Sequence, residues 1–439
     1  MDIVRISSII CFHYNTTDYE EKDSMKLLTI KTVFVFFTVF LMIFSTAELD
    51  PANRQEQEQK LQHEAIAINI EVPVRVFQRD KFIDNLSLED FELYEDGKLQ
   101  KIEAVYLIKK KSIEKEESER DKEEARKIYR PEVSRYFVFV FAMFEYLPKI
   151  NEILDYFFDE VYIPGDTLNI ATPIKTYNLN PKTIAEHVPS QIIKDRMKLI
   201  LRRDIHVASG TYQTLMRDLE SFALESDAEN YMRTLRELQQ FRYVDLNIME
   251  GFANYLKAKE GQKHVFLLYQ QENIPLIGDF SNVTSAEVEI YDPTIPEGLN
   301  VASQSYITDL LQSVTFDTEK LKNLFADSSI SAHFLFVTKP LIDNIDFERQ
   351  GSKKGLRHRD ITEDVYNAFM SIAKDTGGLI ESSANVASAF QKAAFASENY
   401  YLLYYSPKDY KADGKFRKIR VKVKGKNYAV NHRAGYIAD

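Results

Sequence analysis

Residues 136–146, YFVFVFAMFEY, set five consecutive apolar residues behind Tyr136, ahead of Leu147, Pro148 and a helical pattern. An unbroken run of aromatic and β-branched residues predicts a strand buried on both faces, as the central strands of parallel sheets are. Three further short apolar runs follow at residues 167–171, 264–269 and 332–337. Helical stretches at about 148–158, 181–203 and 212–259 stand between them. Short buried strands separated by helices predict a parallel, doubly wound sheet.

The chain ahead of residue 109 carries a different period. Ile66, Ile68 and Ile70 alternate with Ala67 and Asn69, and Val72, Val74 and Val76 continue the same face, which predicts a half-buried strand. After a turn at 78–81, Phe91, Leu93 and Asp96-Gly97 predict a hairpin leading into a strand at 102–108. Residues 64–108 therefore read as a small antiparallel β-module. Residues 109–127 are almost wholly charged, with Glu116 and Arg120, and Glu123 and Lys127, four apart. That spacing favours a solvated helix or stiff linker, placed at 109–134. Residues 135–439 read as the second domain, with a long insertion at 275–315 and closing strands at 400–436.

Ahead of both lies an export pattern. Met25 is followed by Lys26 and Lys31, an apolar run at 33–44, then Ser45, Thr46 and Ala47. This is a basic region, a hydrophobic stretch and small residues before a cleavage site. We place cleavage near Ala47 and the true start at Met25, with a polar tether at 48–63; the alternative is an uncut membrane anchor. The expected location is secreted or periplasmic.

Composition narrows the picture. A chain of 439 residues is long enough for two or three domains, and 44% hydrophobic with 12% aromatic content is that of a globular protein. A net charge of -11 argues against a general nucleic-acid binder. The only cysteine, Cys11, precedes the cleavage site, so the mature chain has no disulfide and no cysteine-based zinc site.

Two segments carry a resemblance. FIDNLSLEDFELYEDGKLQKIE (82–103) is similar to an N-terminal segment of the bacterial VWFA-related family of secreted proteins. IAKDTGGLI (372–380) and YYLLYYSPKDYKADGKFRKIRVKVKGKNYAVNHRAGY (400–436) resemble its closing strands and Arg-x-Gly-Tyr end. The resemblance implies an α/β fold: a Rossmann-like von Willebrand A-type doubly wound sheet, mostly parallel, preceded by a small antiparallel β-module. In metal-binding relatives the carboxyl edge of that sheet holds a divalent cation through D-x-S-x-S after the first strand, a Thr from a second loop and an Asp from a third. Here the first loop is Ala142-Met143-Phe144-Glu145-Tyr146 and the third Tyr269-Gln270-Gln271-Glu272, while Ser209-Gly210-Thr211 alone resembles the second. Hard oxygen donors are what such an ion requires, so the expectation is a degenerate adhesion site with Thr211 its one matching position, no metal and no cofactor. A rescued site would use Glu145 and Glu272.

Other chemistry is sparse. His187, His206, His264, His333 and His432 are scattered, without H-E-x-x-H, G-x-S-x-G or a phosphate-loop motif. Thr376-Gly377-Gly378 reads as a glycine helix stop in preference to a phosphate cradle. The candidate binding rim is Glu145, Ser209, Thr211, Gln270, Gln271 and Glu272, beside the insertion 275–315. A second candidate surface is the basic strand face of Arg420, Lys422 and Lys424, which alternate with Ile419, Val421 and Val423; it suits an anionic polymer, or serves only to discourage edge pairing. The first functional reading is a non-enzymatic exported binding or adhesion protein with an unknown protein partner in the envelope or outside the cell. It involves no nucleic acid, and a membrane only through an uncleaved signal segment. The alternative is a cell-envelope hydrolase or processing factor using, for example, Glu145, Asp166 and His206, and a third reading is an oligomerising envelope component.

Overall fold

The computed structural model describes residues 68–79, 81–118, 129, 131–179, 189–225, 227–240, 246–276, 317–338, 357–425 and 427–439. Those from Asn69 onward belong to one compact unit. The signal segment 25–47, the tether 48–63 and most of the insertion 275–315 lie outside the described residues.

The chain opens with β1 (Ile70–Gln78), β2 (Lys81–Phe82), β3 (Phe91–Glu95), β4 (Lys98–Gln100), β5 (Ile102–Lys109) and β6 (Ser112–Ser118). Next come β7 (Arg135–Ala142), α1 (Ile150–Tyr156), β8 (Thr167–Ala171), β9 (Thr176–Leu179), α2 (Ser190–Glu225), α3 (Ala228–Gln240) and α4 (Leu246–Lys257). They are followed by β10 (Gln262–Gln270), β11 (Asn273–Leu276), α5 (Thr318–Asp327), β12 (Ile330–Val337), β13 (Arg357–Asp360), α6 (Glu363–Asp375), β14 (Ile380–Ser383) and α7 (Val386–Glu398). The chain closes with β15 (Asn399–Tyr405), β16 (Phe416–Val423), β17 (Ala429–His432) and β18 (Gly435–Ile437).

One sheet has the order β14-β12-β10-β7-β8-β9, parallel except for the β8–β9 pair. Helices cover both its faces, and β7 shows why. Its odd residues Phe137, Phe139 and Phe141 pack with α1, α2 and α7, while Val138, Val140 and Ala142 pack with α4, α5 and α6. Strand side chains alternate between faces, so a strand between two helical layers must be apolar at every position.

The expected fold as a whole is overturned. Four strand pairings among the described residues are parallel and ten are antiparallel. The chain is therefore not a mostly parallel, doubly wound Rossmann-like structure of the von Willebrand A type. Nor do residues 64–108 make a module of their own. Strand β1 lies between β15 and β17, β5 pairs with β15, and β3 pairs with β16. Parallel pairing needs a crossover helix, and only the middle of the chain supplies them; the ends, with alternating strands and tight turns, pair antiparallel. The span 109–134 departs from expectation too, because Ser112–Ser118 is a strand paired with β5.

Two buried arginines fasten the antiparallel strands to the helical layers. Arg75 of β1 donates from Nε to the Ala396 carbonyl (2.5 Å), from Nη1 to the Gly377 carbonyl (3.1 Å) and from Nη2 to Ser331 Oγ (3.4 Å). Arg433 donates to the Glu71 carbonyl (2.5 Å), Ser329 Oγ (2.6 Å) and the Ala326 carbonyl (3.4 Å). Ala396, Gly377 and Ala326 lie at the ends of α7, α6 and α5, where carbonyls lack helical partners and the helix dipole favours a cation. The α6 end is a Schellman stop: Gly378 N–H reaches the Ala373 carbonyl (2.9 Å), Gly377 N–H the Lys374 carbonyl (3.2 Å), and Gly377 has φ +70°.

Beneath Arg75, β10 and β12 bring His264 and His333 together. His333 Nδ1 accepts from the Leu379 N–H (3.2 Å), which leaves its Nε2 to donate to His264 Nδ1 (3.4 Å). Burial first, then the neighbouring Arg75, holds both imidazoles well below the ordinary histidine range. The unfolded chain, with ordinary histidines near 6.5, then binds more protons than the folded one in mildly acidic solution. This contribution to stability is intact above about pH 6.5 and is lost as pH falls below it, by up to about 1.4 kcal/mol per pH unit and per histidine. Glu71 and Glu398, both pushed up by burial, act in the opposite sense. We expect the urea midpoint to drop between pH 7 and pH 5, and His264→Phe to flatten that drop; an unchanged pH slope in the variant would refute it.

Candidate functional site

The carboxyl end of β7 runs into Ala142, Met143 and Phe144, all buried, before the chain reaches solvent at Glu145. Met143 joins the core beside α1, and the Phe144 ring stacks on Tyr212 of α2, centroids 4.2 Å apart at 18°. The loop is then closed by a neutral amide. Gln270, the last residue of β10 and fully buried, accepts on Oε1 from the N–H groups of Phe144 (3.0 Å) and Glu145 (2.9 Å). Two buried backbone donors are thereby satisfied without a charge.

The next residues form the rim. Gln271 donates its N–H to the Val337 carbonyl (2.9 Å) and its Nε2 to Asp360 Oδ2 (2.6 Å). Asp360 Oδ1 also accepts from the Thr362 N–H (2.8 Å) and hydroxyl (2.5 Å), which fixes the entry to α6. Glu272 turns inward: its carboxylate is buried and accepts from the Tyr269 hydroxyl, and its carbonyl accepts from the Ile361 N–H (3.1 Å).

Ser209, Gly210 and Thr211 do not form a loop. They lie inside α2, where Ser209 is buried and its hydroxyl donates to the His206 carbonyl (2.9 Å), while Thr211 is exposed. Buried Ile193, Met197, Leu201, Ile205, Ala208, Tyr212, Leu215 and Leu219 recur at three- and four-residue steps through this segment. That stripe is the signal that overrides the apparent break at Ser-Gly-Thr. The rim thus brings together Glu145, Gln270 and Gln271, with Tyr212 beside them, but not Ser209, Thr211 or the carboxylate of Glu272. Asp360 belongs to it and escaped the sequence reading because it sits far along the chain, at the strand β13 that pairs with β11.

The hydrolase residues do not converge. Asp166 lies at the amino end of the parallel strands, fully buried, with Arg135 Nη2 and Nε at 2.5 and 3.1 Å and Lys111 Nζ at 2.9 Å. Glu145 follows the opposite end of β7, about 25 Å away at the rise of a strand. His206 is on an exposed face of α2.

The donors also do not fit a divalent cation. A hard ion needs several oxygen ligands at one point, and here the first loop is apolar side chain, Gln270 Oε1 is occupied by two N–H groups, and Thr211 is held in a helix. Among the described residues no group of three or more metal-ligating side chains assembles. The basic candidates Arg420, Lys422 and Lys424 lie elsewhere, exposed on β16 and just beyond it. Among the described residues no helix is long and apolar enough to cross a membrane.

No family model and no curated protein matches the chain. Among solved structures it is similar to the human COPII-coat protein Sec24c, with a TM-score of 0.29 and 6% identity over 70% of this chain and 44% of that one. The chain thus spans under half of that protein's length, and so slight a likeness carries no argument.

Replacing Gln270 with Ala strips the shared acceptor from two backbone N–H groups, at about 1–3 kcal/mol for each that stays buried. Urea unfolding of Gln270→Ala is expected to show a loss on the order of 2–4 kcal/mol, whereas an unshifted midpoint would mean that the amide does not hold the loop.

Proposed function

We propose that this chain is an exported, non-enzymatic binding protein that takes a protein partner on the rim formed by Glu145, Gln271 and Asp360. The observation that carries the reading is the closed strand end. With Ala142, Met143 and Phe144 built into the core and Gln270 sealing the loop, this edge offers a firm polar surface among the described residues. Such an edge recognises by shape and hydrogen bonds, with rigid strands beneath holding the contact residues in place.

Export rests on the pattern at residues 25–47, and kinship with the bacterial VWFA-related secreted proteins on residues 82–103 and 372–436. Both bracketing segments lie in the same sheets, β3 against β16 and β5 against β15, which supports treating them as one unit of resemblance. The Arg-x-Gly-Tyr end also has a physical role. Arg433 binds the end of α5, Gly435 sits where a Cβ would come 2.0 Å from the Arg417 carbonyl, and Tyr436 donates to Glu95 (3.0 Å).

The test is capture from an envelope extract by the mature chain, in EDTA and in Mg²⁺, beside Glu145→Lys/Asp360→Lys. Equal capture in both buffers, abolished by the double substitution, is expected. Capture that needed Mg²⁺, or that ignored the substitutions, would overturn the proposal.

A further inference from the structure

The outer face of the sheet β18-β16-β3-β4 is charged in a way that the acidic chain around it is not. In β16 the inward Ile419 and Val421 are buried, while Lys418, Arg420 and Lys422 point out, and Lys424 continues the row. Alternate residues of a strand are about 6.5–7 Å apart, so Lys418, Arg420 and Lys422 stand in an evenly spaced line on β16, with Lys424 one residue past its end. Among the described residues no carboxylate lies within ion-pair distance of any of them. Three acids lie beside the row and each is held elsewhere: Glu92, opposite Lys422, accepts from the Tyr94 hydroxyl (2.8 Å), Asp96 Oδ1 accepts from the backbone N–H of Lys418 (2.9 Å), and Asp90, beside Lys424, accepts from the Ser87 N–H and hydroxyl (2.7 and 2.8 Å).

Beside Arg420 the flank of the row is apolar. Arg420 is opposite Tyr94, and Tyr94 is opposite Leu99, which is 61% exposed. The cations are therefore one strand wide, bordered by a ring edge and an aliphatic side chain. That shape matches a linear polyanion better than a membrane, which would meet a broad positive area. It also disfavours single-stranded nucleic acid: Lys422 Nζ lies 4.8 Å over the Tyr94 ring, so the ring is not open as a stacking platform for bases.

We propose that this face binds an acidic polysaccharide, with Lys418, Arg420, Lys422 and Lys424 meeting successive carboxylates and the exposed Leu99 lying against the sugar rings. This surface is separate from the rim of Glu145, Gln271 and Asp360, so either proposal can fail alone.

The experiment is equilibrium binding of the full chain to polygalacturonate across a salt series, with dextran, an oligothymidylate and phosphatidylglycerol vesicles as comparison probes. The row variant is Arg420→Gln/Lys422→Gln/Lys424→Gln. A charge-matched control is Lys149→Gln/Arg196→Gln/Arg202→Gln, all exposed and on helices or their caps. Far-ultraviolet circular dichroism of both variants checks that each is folded. We expect polygalacturonate to bind and dextran not to, a loss of ten-fold or more in the row variant, and a salt slope shallower by about 2. Equal losses in the two variants would overturn the proposal by reducing it to net charge. Tighter binding of the oligothymidylate or the vesicles would overturn it in favour of those partners.

Discussion

Burying a guanidinium is costly unless its donors find acceptors, and this structure buries two where acceptors are in surplus, with Arg433 Nε left as a buried donor without a partner among the described residues. Arg75 and Arg433, both from the antiparallel strands, reach the carbonyl ends of α5, α6 and α7. The ends of helices hold orphan carbonyls and a partial negative charge, so each group satisfies the other. Arginine is the residue that suits this place, since its planar fork reaches several carbonyls at once and its charge resists loss; burial brings Arg75 down only to about 10.

The same economy of charge governs the strand ends. At the amino edge Asp166 is neutralised by Arg135 and Lys111. At the carboxyl edge Gln270, a neutral amide, holds two N–H groups with its oxygen.

The runs at 137–141, 167–171, 264–269 and 332–337 coincide with β7, β8, β10 and β12 because strands covered on both faces are mostly apolar, with Asn169, His264 and His333 the buried polar positions among them. The rest was hidden for identifiable reasons. Pairing between β1 and β15 joins residues more than three hundred apart, and nothing local records it. Strand β6 reads KEES-like and solvated because it is an edge with only Ile113 as an apolar residue. Ser209-Gly210-Thr211 has loop composition inside a helix whose continuity is written in its buried stripe instead. Gln270 looked like one polar residue among several, and only the folded loop shows that its amide serves two neighbours on another strand.

The position of β1 between β15 and β17 has a consequence for the order in which the molecule is completed. A chain emerging amino end first carries an apolar strand whose partners are made more than three hundred residues later, and closing so long a loop is slow although its equilibrium cost grows only with the logarithm of its length. The helical middle can collapse early, while the first strands wait as open edges that invite wrong partners. A cut between β6 and β7 would separate strands from the neighbours that complete them, so the two halves are not independent pieces.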